Sequence, residues 1–89
     1  MNLRAYARGK ECRVRLPGIC NFNPETTVLA HVRIVGISGM GIKAPDALGA
    51  HCCSACHAAC DTDDRHELDF LRGVVRTQAY LIKQGVTLW

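Results

Sequence analysis

The chain is 89 residues long, which is enough for one small domain with a modest hydrophobic core. An apolar fraction of 48% and a charged fraction of 21% exclude a disordered chain, and no apolar run reaches the about 20 residues of a membrane span. The net charge of +3 is uneven, because residues 1–45 carry seven basic and two acidic groups and thus offer phosphates a cationic surface.

The N-terminal sequence and the number of cysteines indicate the cellular compartment in which the protein works. The first eight residues contain no apolar stretch typical of a signal peptide, so we expect the protein to stay in the reducing cytosol. Six cysteines in so short a chain are then more typical of metal ligands than of disulfides. The chain has no repeat and no linker, and we expect residues 1–89 to form one domain.

The first elements are short. Residues 3–8 predict one helical turn that ends at Gly9, and residues 11–20 predict either a short strand or a knuckle with a turn at Pro17 and Gly18. Both segments precede a loop over residues 21–24.

The middle of the chain contains the best strand candidate. Six of residues 26–35 are β-branched, and a period of two puts His31 and Arg33 on the same face of that strand. The glycines of residues 36–43 predict a flexible turn or a bulged hairpin, and residues 45–48 predict a short turn.

The clearest helix covers residues 65–84, where apolar residues recur at helical spacing. Asp64 and Glu67 resemble a capping box at its start, and Gly85 is typical of a helix end. Gly73 in its middle predicts a close contact with another element.

Two pairs of cysteines predict a structural zinc site. Cys53 and Cys56 form a Cys-x-x-Cys knuckle at the start of a predicted helix over residues 54–61, which is a strong half-site for zinc. Cys12 and Cys20 are the natural second half-site, although their spacing is less specific. Such a site would contribute folding free energy that a chain of this size needs.

Cys52 competes with Cys53 but breaks the two-residue spacing to Cys56, and Cys60, four residues after Cys56, either points back toward the site or fills the core; His51 and His66 have no partners by spacing. We predict that Cys52 and Cys60 are buried free thiols, and that His51 and His66 are surface groups.

The remaining histidines predict a second site. His57 directly follows the knuckle and Asp61 comes four residues later, so on a helix the two share a face and can bind one ion. His31 lies 26 residues before His57, on the predicted strand. We interpret the neighbouring acids as groups that start the long helix: Asp63, Asp64 and Glu67.

The order of strand histidine, glycine-bearing loop and Cys-x-x-Cys-His helix resembles the HNH, or ββα-metal (His-Me finger), nucleases. The chain is still more similar to the YbcO-like family of prophage nucleases, over nearly its whole length. The segments that carry this resemblance are residues 1–4, 7–9, 11–12, 17–18, 23–26, 29–31, 39–43, 45–46, 53–57 and 76–78.

The resemblance implies an α+β fold in which a small, zinc-stapled ββα-metal finger carries an additional long C-terminal helix, all within one domain. It implies that His31 is the general base and that His57 binds a catalytic divalent ion, with Asp61 at the position of a second ligand. Many HNH enzymes have a metal-binding Asp or His directly before the base. Ala30 stands there in this chain, so we expect water or Asp46 to complete the coordination.

We therefore expect a metal-dependent endonuclease that hydrolyses phosphodiester bonds of nucleic acid, with DNA as the first candidate substrate. It would hold a structural Zn²⁺ and a catalytic Mg²⁺ or other divalent cation. The basic residues expected to contact the nucleic-acid backbone are Arg13, Arg15, Arg33 and Lys43.

The alternative is a non-catalytic zinc module that binds nucleic acid or a phage recombination protein. The apolar C-terminal end, residues 86–89, predicts a final short strand that either packs internally or pairs with a second chain as a homodimer.

Overall fold

A computed structural model describes residues 2–34, 36–38 and 44–86 of the chain. These residues contain, in order, α1 (Leu3–Ala7), β1 (Val28–His31), β2 (Gly49–Cys52), α2 (Ser54–Thr62) and α3 (Glu67–Lys83). Short 3₁₀ turns cover Pro24–Thr26, Asp46–Leu48 and Asp64–His66. The predicted α+β class is confirmed, since a two-stranded sheet is combined with a long C-terminal helix.

The sheet is a small antiparallel pair in which His31 of β1 lies opposite Gly49 of β2. A Cβ atom on Gly49 would lie 2.8 Å from the Leu29 Cδ1 atom, so only glycine fits this register without displacing Leu29. All four residues of β2 are buried, so the strand lacks the alternation of apolar and polar residues that would reveal it in the sequence. Strand β2 was not predicted, because none of its four residues is β-branched.

Strand β1 is shorter than the predicted strand over residues 26–35. The Asn23 side chain caps a 3₁₀ turn that begins with Pro24, and this turn uses the residues before Thr27. Beyond the strand, the Val32 amide still donates to the Leu48 carbonyl at 3.0 Å. The segment 11–20 forms a loop with a turn after Leu16, and the structure assigns no strand to it.

Helix α3 packs on β2, and the Thr77 hydroxyl group links the two elements by hydrogen bonds. The buried Thr77 Oγ1 atom accepts a hydrogen bond from the His51 amide at 3.0 Å and donates one to the Gly73 carbonyl at 2.8 Å. A Cβ atom on Gly73 would lie 2.7 Å from the Val14 Cγ2 atom, so the close contact predicted at Gly73 is confirmed.

The two ends of α3 differ in how well the sequence predicted them. Gly85 adopts a φ of +76°, and the Val86 amide donates to the Leu81 carbonyl, which is the expected glycine-terminated end. The predicted capping box is wrong, because the side chain that caps this region belongs to Asp63 and accepts from the Arg65 amide. A 3₁₀ turn therefore precedes α3 and takes up the residues of the expected cap.

His51 is a core residue, so its prediction as a surface group is wrong. Only 1% of it is exposed, and its ring meets that of Tyr80 edge to face. Burial, together with the positive charges of Arg13 and Lys10, lowers the pKa of His51 to about 4. A neutral imidazole therefore fills the space between β2 and α3.

No helix within the described ranges is long and apolar enough to span a membrane. The predicted glycine-rich turn lies partly outside the described residues, and the predicted final strand over residues 86–89 does so except for Val86.

Candidate metal centre and candidate active site

Four buried cysteines meet between the N-terminal loop and the start of α2. The Sγ atoms of Cys12, Cys20, Cys53 and Cys56 all lie within 4.8 Å of one another. The Cys53 and Cys20 sulfurs are 3.8 Å apart, which is about the edge of a tetrahedron with metal–sulfur bonds of roughly 2.3 Å. This set of four soft donors, all shielded from solvent, could hold a metal ion such as zinc.

The local backbone explains why Cys53 and Cys56 point to one place. Cys53 is the N-cap of α2, and its sulfur accepts a hydrogen bond from the Cys56 amide at 3.4 Å. The Cys12 sulfur accepts one from the Arg15 amide at 3.5 Å. Such N–H···S contacts stabilise negative charge on sulfur, which a metal-bound thiolate needs.

Hydrogen bonding and burial shift the pKa values of these thiols in opposite directions. A hydrogen bond from Cys52 lowers the pKa of Cys12 to about 3. The same hydrogen bond, with burial, raises the pKa of Cys52, whereas burial raises the pKa values of Cys56 and Cys20. Cys52 thus lies beside the cluster as a protonated donor, and a bound dication would displace the protons of the ligand thiols.

A cavity of about 290 Å³ lies between the end of β1 and the two C-terminal helices. His31 and Arg33 enter it from the strand segment, and His57 and Asp61 enter it from α2. The remaining residues of its wall are Ala30, Val32, Ile34, Cys60, Asp63, Asp64, Glu67, Phe70 and Leu71. Two histidines, one arginine and several carboxylates therefore face one space.

His57 and Asp61 form the expected pair on one face of α2. The His57 Nε2 atom is 3.7 Å from Asp61 Oδ2, and the Arg33 Nη2 atom is 3.1 Å from Asp61 Oδ1. Two donors at this separation can both reach one ion at about 2.1 Å. In the described parts of the chain, only the cysteine cluster brings three or more potential ligands together, so any ion here would take other ligands from water or substrate.

His31 makes a short hydrogen bond outside the cavity wall. Its Nε2–H group donates to Asp46 Oδ1 at 2.6 Å, and Arg4 Nε lies 3.6 Å from the other oxygen of Asp46. Because a carboxylate can only accept, the neutral form of the ring would carry its proton on Nε2 and its lone pair on Nδ1. Asp46, expected as a possible metal ligand, is not among the residues that line the cavity with His57 and Asp61.

The predicted nucleic-acid contacts do not form one cluster. Arg33 lines the cavity, whereas Arg13 stacks 4.0 Å above the Tyr80 ring and Arg15 lies 3.6 Å from Glu11. Lys43 lies outside the described residues. Among Arg13, Arg15 and Arg33, Arg33 alone lines the cavity that holds the two histidines.

Known proteins include relatives of this chain. A family model described as "Putative nuclease YbcO" matches residues 1–86. The chain belongs to the YbcO family.

Individual relatives agree with this assignment. The protein called "Putative nuclease YbcO" of Escherichia coli (strain K12) is 49% identical over 94 residues, covering 96% of this chain and 95% of the relative. A protein of Enterobacteria phage 82 called "Putative nuclease ybcO" matches equally well. The resemblance to the YbcO family is therefore confirmed.

A solved structure also matches. It is described as "Structure of a putative bacteriophage protein from Escherichia coli str. K-12 substr. MG1655", with a TM-score of 0.78 and 42% sequence identity. The match covers 94% of this chain and 100% of the other, so the YbcO-family fold described above has an experimental counterpart.

Several residues of the cavity in this YbcO-family chain could not be predicted from the sequence. Asp63, Asp64 and Glu67 line it, although they look like helix-starting acids. A hydrogen bond from Arg65 lowers the pKa of Asp63 to about 2. The contact between Asp46 and His31 was also missed, because their 15-residue separation gives no local signal.

Proposed function

We propose that this chain is a metal-dependent endonuclease of the HNH, or ββα-metal (His-Me finger), type, and that residues 1–89 form its single domain. One observation carries the proposal, namely that His31, Arg33, His57 and Asp61 line one cavity of about 290 Å³. A base, a cation and a pair of metal-compatible donors are the groups that phosphodiester hydrolysis needs. Membership of a family named for nuclease activity supports a nucleic-acid substrate, and DNA is the substrate we would test first.

In this proposal the four-cysteine cluster holds zinc for a structural purpose. With four protein ligands, such an ion has no open position for a water molecule or a substrate. The cluster joins the N-terminal loop to α2, and α2 carries His57 and Asp61. The cysteines thereby fix the helix from which the catalytic side chains project.

His31 is the proposed general base. Asp46 holds the proton on Nε2, which leaves the Nδ1 lone pair free to take a proton from water. The side chain of His31 is only 16% exposed, so packing and the Asp46 hydrogen bond restrict how its ring can turn. Asp46 is therefore assigned as a positioning residue for His31 in place of the metal ligand expected from the sequence.

His57 and Asp61 are the proposed donors for a catalytic divalent ion. A Mg²⁺ or similar ion held by them would supply positive charge to the scissile phosphate and to the leaving oxygen. Their donor atoms lie 3.7 Å apart, and their side chains are 38% and 36% exposed, so water can reach them. Mg²⁺ keeps several waters in such sites, which suits a site with few protein ligands.

Arg33 is the proposed phosphate contact inside the cavity. Its guanidinium lies 3.1 Å from Asp61 and its side chain is 70% exposed, so it can turn to donate to a phosphate oxygen. Exposed ion pairs of this kind contribute about 0.2–1 kcal/mol, so little free energy is lost when Arg33 exchanges Asp61 for a phosphate.

The proposal is tested by nicking of supercoiled plasmid DNA with Mg²⁺, Mn²⁺ or Ni²⁺, and with a chelator added. The wild type should nick with at least one of these ions, and Asp61→Asn should lose at least about 10-fold in rate at limiting ion concentration. Asp69→Asn is the matched control, because Asp69 lies outside the cavity wall and should leave the rate unchanged. Cleavage that persists in excess chelator would contradict the proposal.

A second candidate is a non-catalytic zinc module that binds nucleic acid or a recombination protein. Two observations favour it, namely the buried methyl of Ala30 at a position where HNH enzymes often carry a ligand, and the pairing of Arg33 with Asp61. It predicts a shift of labelled DNA in a gel without cleavage under any of the ions above.

A further inference from the structure

Three basic side chains and two tyrosines lie together between the N-terminal segment and the C-terminal half of α3. The Lys10 Nζ atom lies 4.4 Å from the centroid of the Tyr6 ring, and the Arg13 Cζ atom lies 4.0 Å from the centroid of the Tyr80 ring. Both rings pack on the same small cluster of buried apolar residues. Arg76 joins them, because its Nη1–H group donates to the Arg13 carbonyl at 2.9 Å. These five residues are called the basic patch below.

Carboxylates do not neutralise the charges of the basic patch. In the part of the chain that the structure describes, none of its three cations has a carboxylate partner. Five other arginines each lie 2.6–3.7 Å from a carboxylate oxygen: Arg4, Arg15, Arg33, Arg65 and Arg72. Residues 1–20 and 73–89, which contain the patch, carry seven basic side chains and one acidic side chain, that of Glu11. Glu11 pairs with Arg15, so the patch is a region of uncompensated positive charge.

The guanidinium groups of the basic patch retain donors for an anion. An arginine side chain has five N–H donors. Among the described residues, the Arg13 side chain donates one hydrogen bond, to the Glu11 carbonyl at 3.0 Å, and the Arg76 side chain donates one, to the Arg13 carbonyl. Backbone carbonyls carry no net charge, so these hydrogen bonds orient the two groups without neutralising them. The tyrosine rings orient Lys10 and Arg13 further, because a cation is attracted to the face of an aromatic ring.

The basic patch is separate from the cavity that holds the two histidines. None of its five residues is among those that line the cavity. Leu71 of α3 does line it, and Tyr80 lies nine residues further along the same helix. Nine residues make about two and a half helical turns, so Tyr80 lies on the opposite side of α3 from Leu71. A ligand on the patch would therefore leave the cavity free.

We propose that the basic patch is a second nucleic-acid surface, which binds phosphodiester groups of the backbone outside the cavity. The inference rests on the nucleic-acid substrate of the proposed function, but it requires no cleavage by this chain. Guanidinium and ammonium groups match the charge and the acceptor oxygens of phosphates. Because a cation already lies over each tyrosine ring, the patch is suited to contact with the backbone and not to stacking with bases. It adds affinity without reading sequence.

Fluorescence anisotropy of a labelled DNA duplex tests the patch, with no Mg²⁺ added so that cleavage cannot interfere. The affinity of the wild type should fall as salt rises, since each phosphate contact releases counterions. Lys10→Gln and Arg76→Gln should each weaken binding by about fivefold at about 0.1 M salt. Each should also reduce the slope of the logarithm of the binding constant against the logarithm of salt concentration by about 0.9.

Arg72→Gln is the matched control. It removes one positive charge from the same helix, four residues before Arg76, at an arginine that pairs with Asp69 at 3.7 Å. It should leave both affinity and slope unchanged. Arg76→Lys keeps the cation and should retain most of the affinity, because backbone contacts depend on charge. Circular dichroism and zinc content equal to the wild type would verify that each variant folds.

Two results would overturn the proposal directly, namely no DNA binding by the wild type, or equal affinity and slope for the wild type and the double variant of Lys10 and Arg76. A loss in Arg72→Gln as large as that in Arg76→Gln would also overturn it, since binding would then follow net charge alone. So would tighter binding of polyglutamate than of DNA, which would indicate an acidic protein partner. Failure of the nuclease proposal is distinguishable, because a chain that binds the duplex through the patch would then fail to nick DNA with any divalent ion.

Discussion

At the scale of single residues, the contact between His31 and Asp46 is the feature with the greatest chemical consequence. A neutral histidine carries its proton on one ring nitrogen and a lone pair on the other. The hydrogen-bond partner of the protonated nitrogen determines which of the two keeps the lone pair. Asp46 supplies that partner at 2.6 Å, and Arg4 lies on the far oxygen of the same carboxylate. The sequence could place His31 and Arg33 together on one strand, but it could not indicate a partner from the turn before β2.

Asp46→Asn tests this assignment. The asparagine amide can donate to Nε2 and so move the ring proton to Nδ1, which removes the lone pair of the proposed base. We expect a loss of about 100-fold or more in the cleavage rate, with the fold retained. The ring ¹⁵N signals of His31 can be assigned because they are absent from the spectrum of His31→Gln. In Asp46→Asn their chemical shifts should indicate the Nδ1–H tautomer, whereas those of the wild type should indicate the Nε2–H tautomer.

Asp69→Asn serves as the control for this experiment, since it makes the same chemical change on the surface of α3 away from His31. An Asp46→Asn protein that keeps the Nε2–H tautomer and full activity would show that Asp46 does not position His31.

At the scale of elements, α2 and α3 were predictable and β2 was not. Apolar residues at helical spacing define α3, and the knuckle followed by small residues defines α2. Strand β2 has the sequence Gly-Ala-His-Cys and is buried on both faces, so neither β-propensity nor alternation reveals it. Its place is set by pairing with β1 and by α3 packing over it, both of which are long-range contacts.

Gly73 in α3 provides a test of that packing. At an exposed helix position, alanine stabilises a helix by about 1 kcal/mol relative to glycine. At position 73, however, its Cβ atom would lie 2.7 Å from Val14 Cγ2 and 3.0 Å from Val14 Cα. The loop that carries Val14 begins next to Cys12 and cannot shift freely. We expect Gly73→Ala to lower the free energy of unfolding by about 1–3 kcal/mol, measured by urea denaturation.

The Val14→Ala background is the control for this substitution. It removes the Cγ2 methyl, so the cost of Gly73→Ala should fall by at least half there. An equal cost in both backgrounds would mean that the contact with the Val14 Cγ2 methyl is not the cause.

At the scale of the whole molecule, a metal ion bound by the cysteine cluster would compensate for a small core. Chains of this size bury only about two thirds of their unfolded surface, so a metal that joins distant segments has a large share in stability. The spacing of Cys53 and Cys56 was a strong signal, whereas only the fold could show that Cys12 and Cys20 reach the same point. The cavity acids Asp63, Asp64 and Glu67 could not be told from helix-starting residues until the fold was known.

Cys53→Ser and Cys60→Ser compare a cluster cysteine with one outside the cluster. Elemental analysis of the wild type should find one zinc per chain; Cys53→Ser should lose it and unfold, because its ligand set is incomplete. Cys60→Ser should keep the zinc, since the Cys60 sulfur is not part of the cluster. One zinc retained in Cys53→Ser would contradict the proposed ligand set.

The proposed nuclease mechanism depends most directly on His31 as the base of the cleavage reaction. The decisive measurement is the rate of metal-dependent plasmid nicking by His31→Ala beside His66→Ala, a histidine outside the cavity wall, with zinc content and circular dichroism equal to wild type. We predict that His31→Ala loses at least about 100-fold in rate while His66→Ala nicks as fast as the wild type. Equal rates for both variants, or no nicking by the wild type with any divalent ion, would contradict the account.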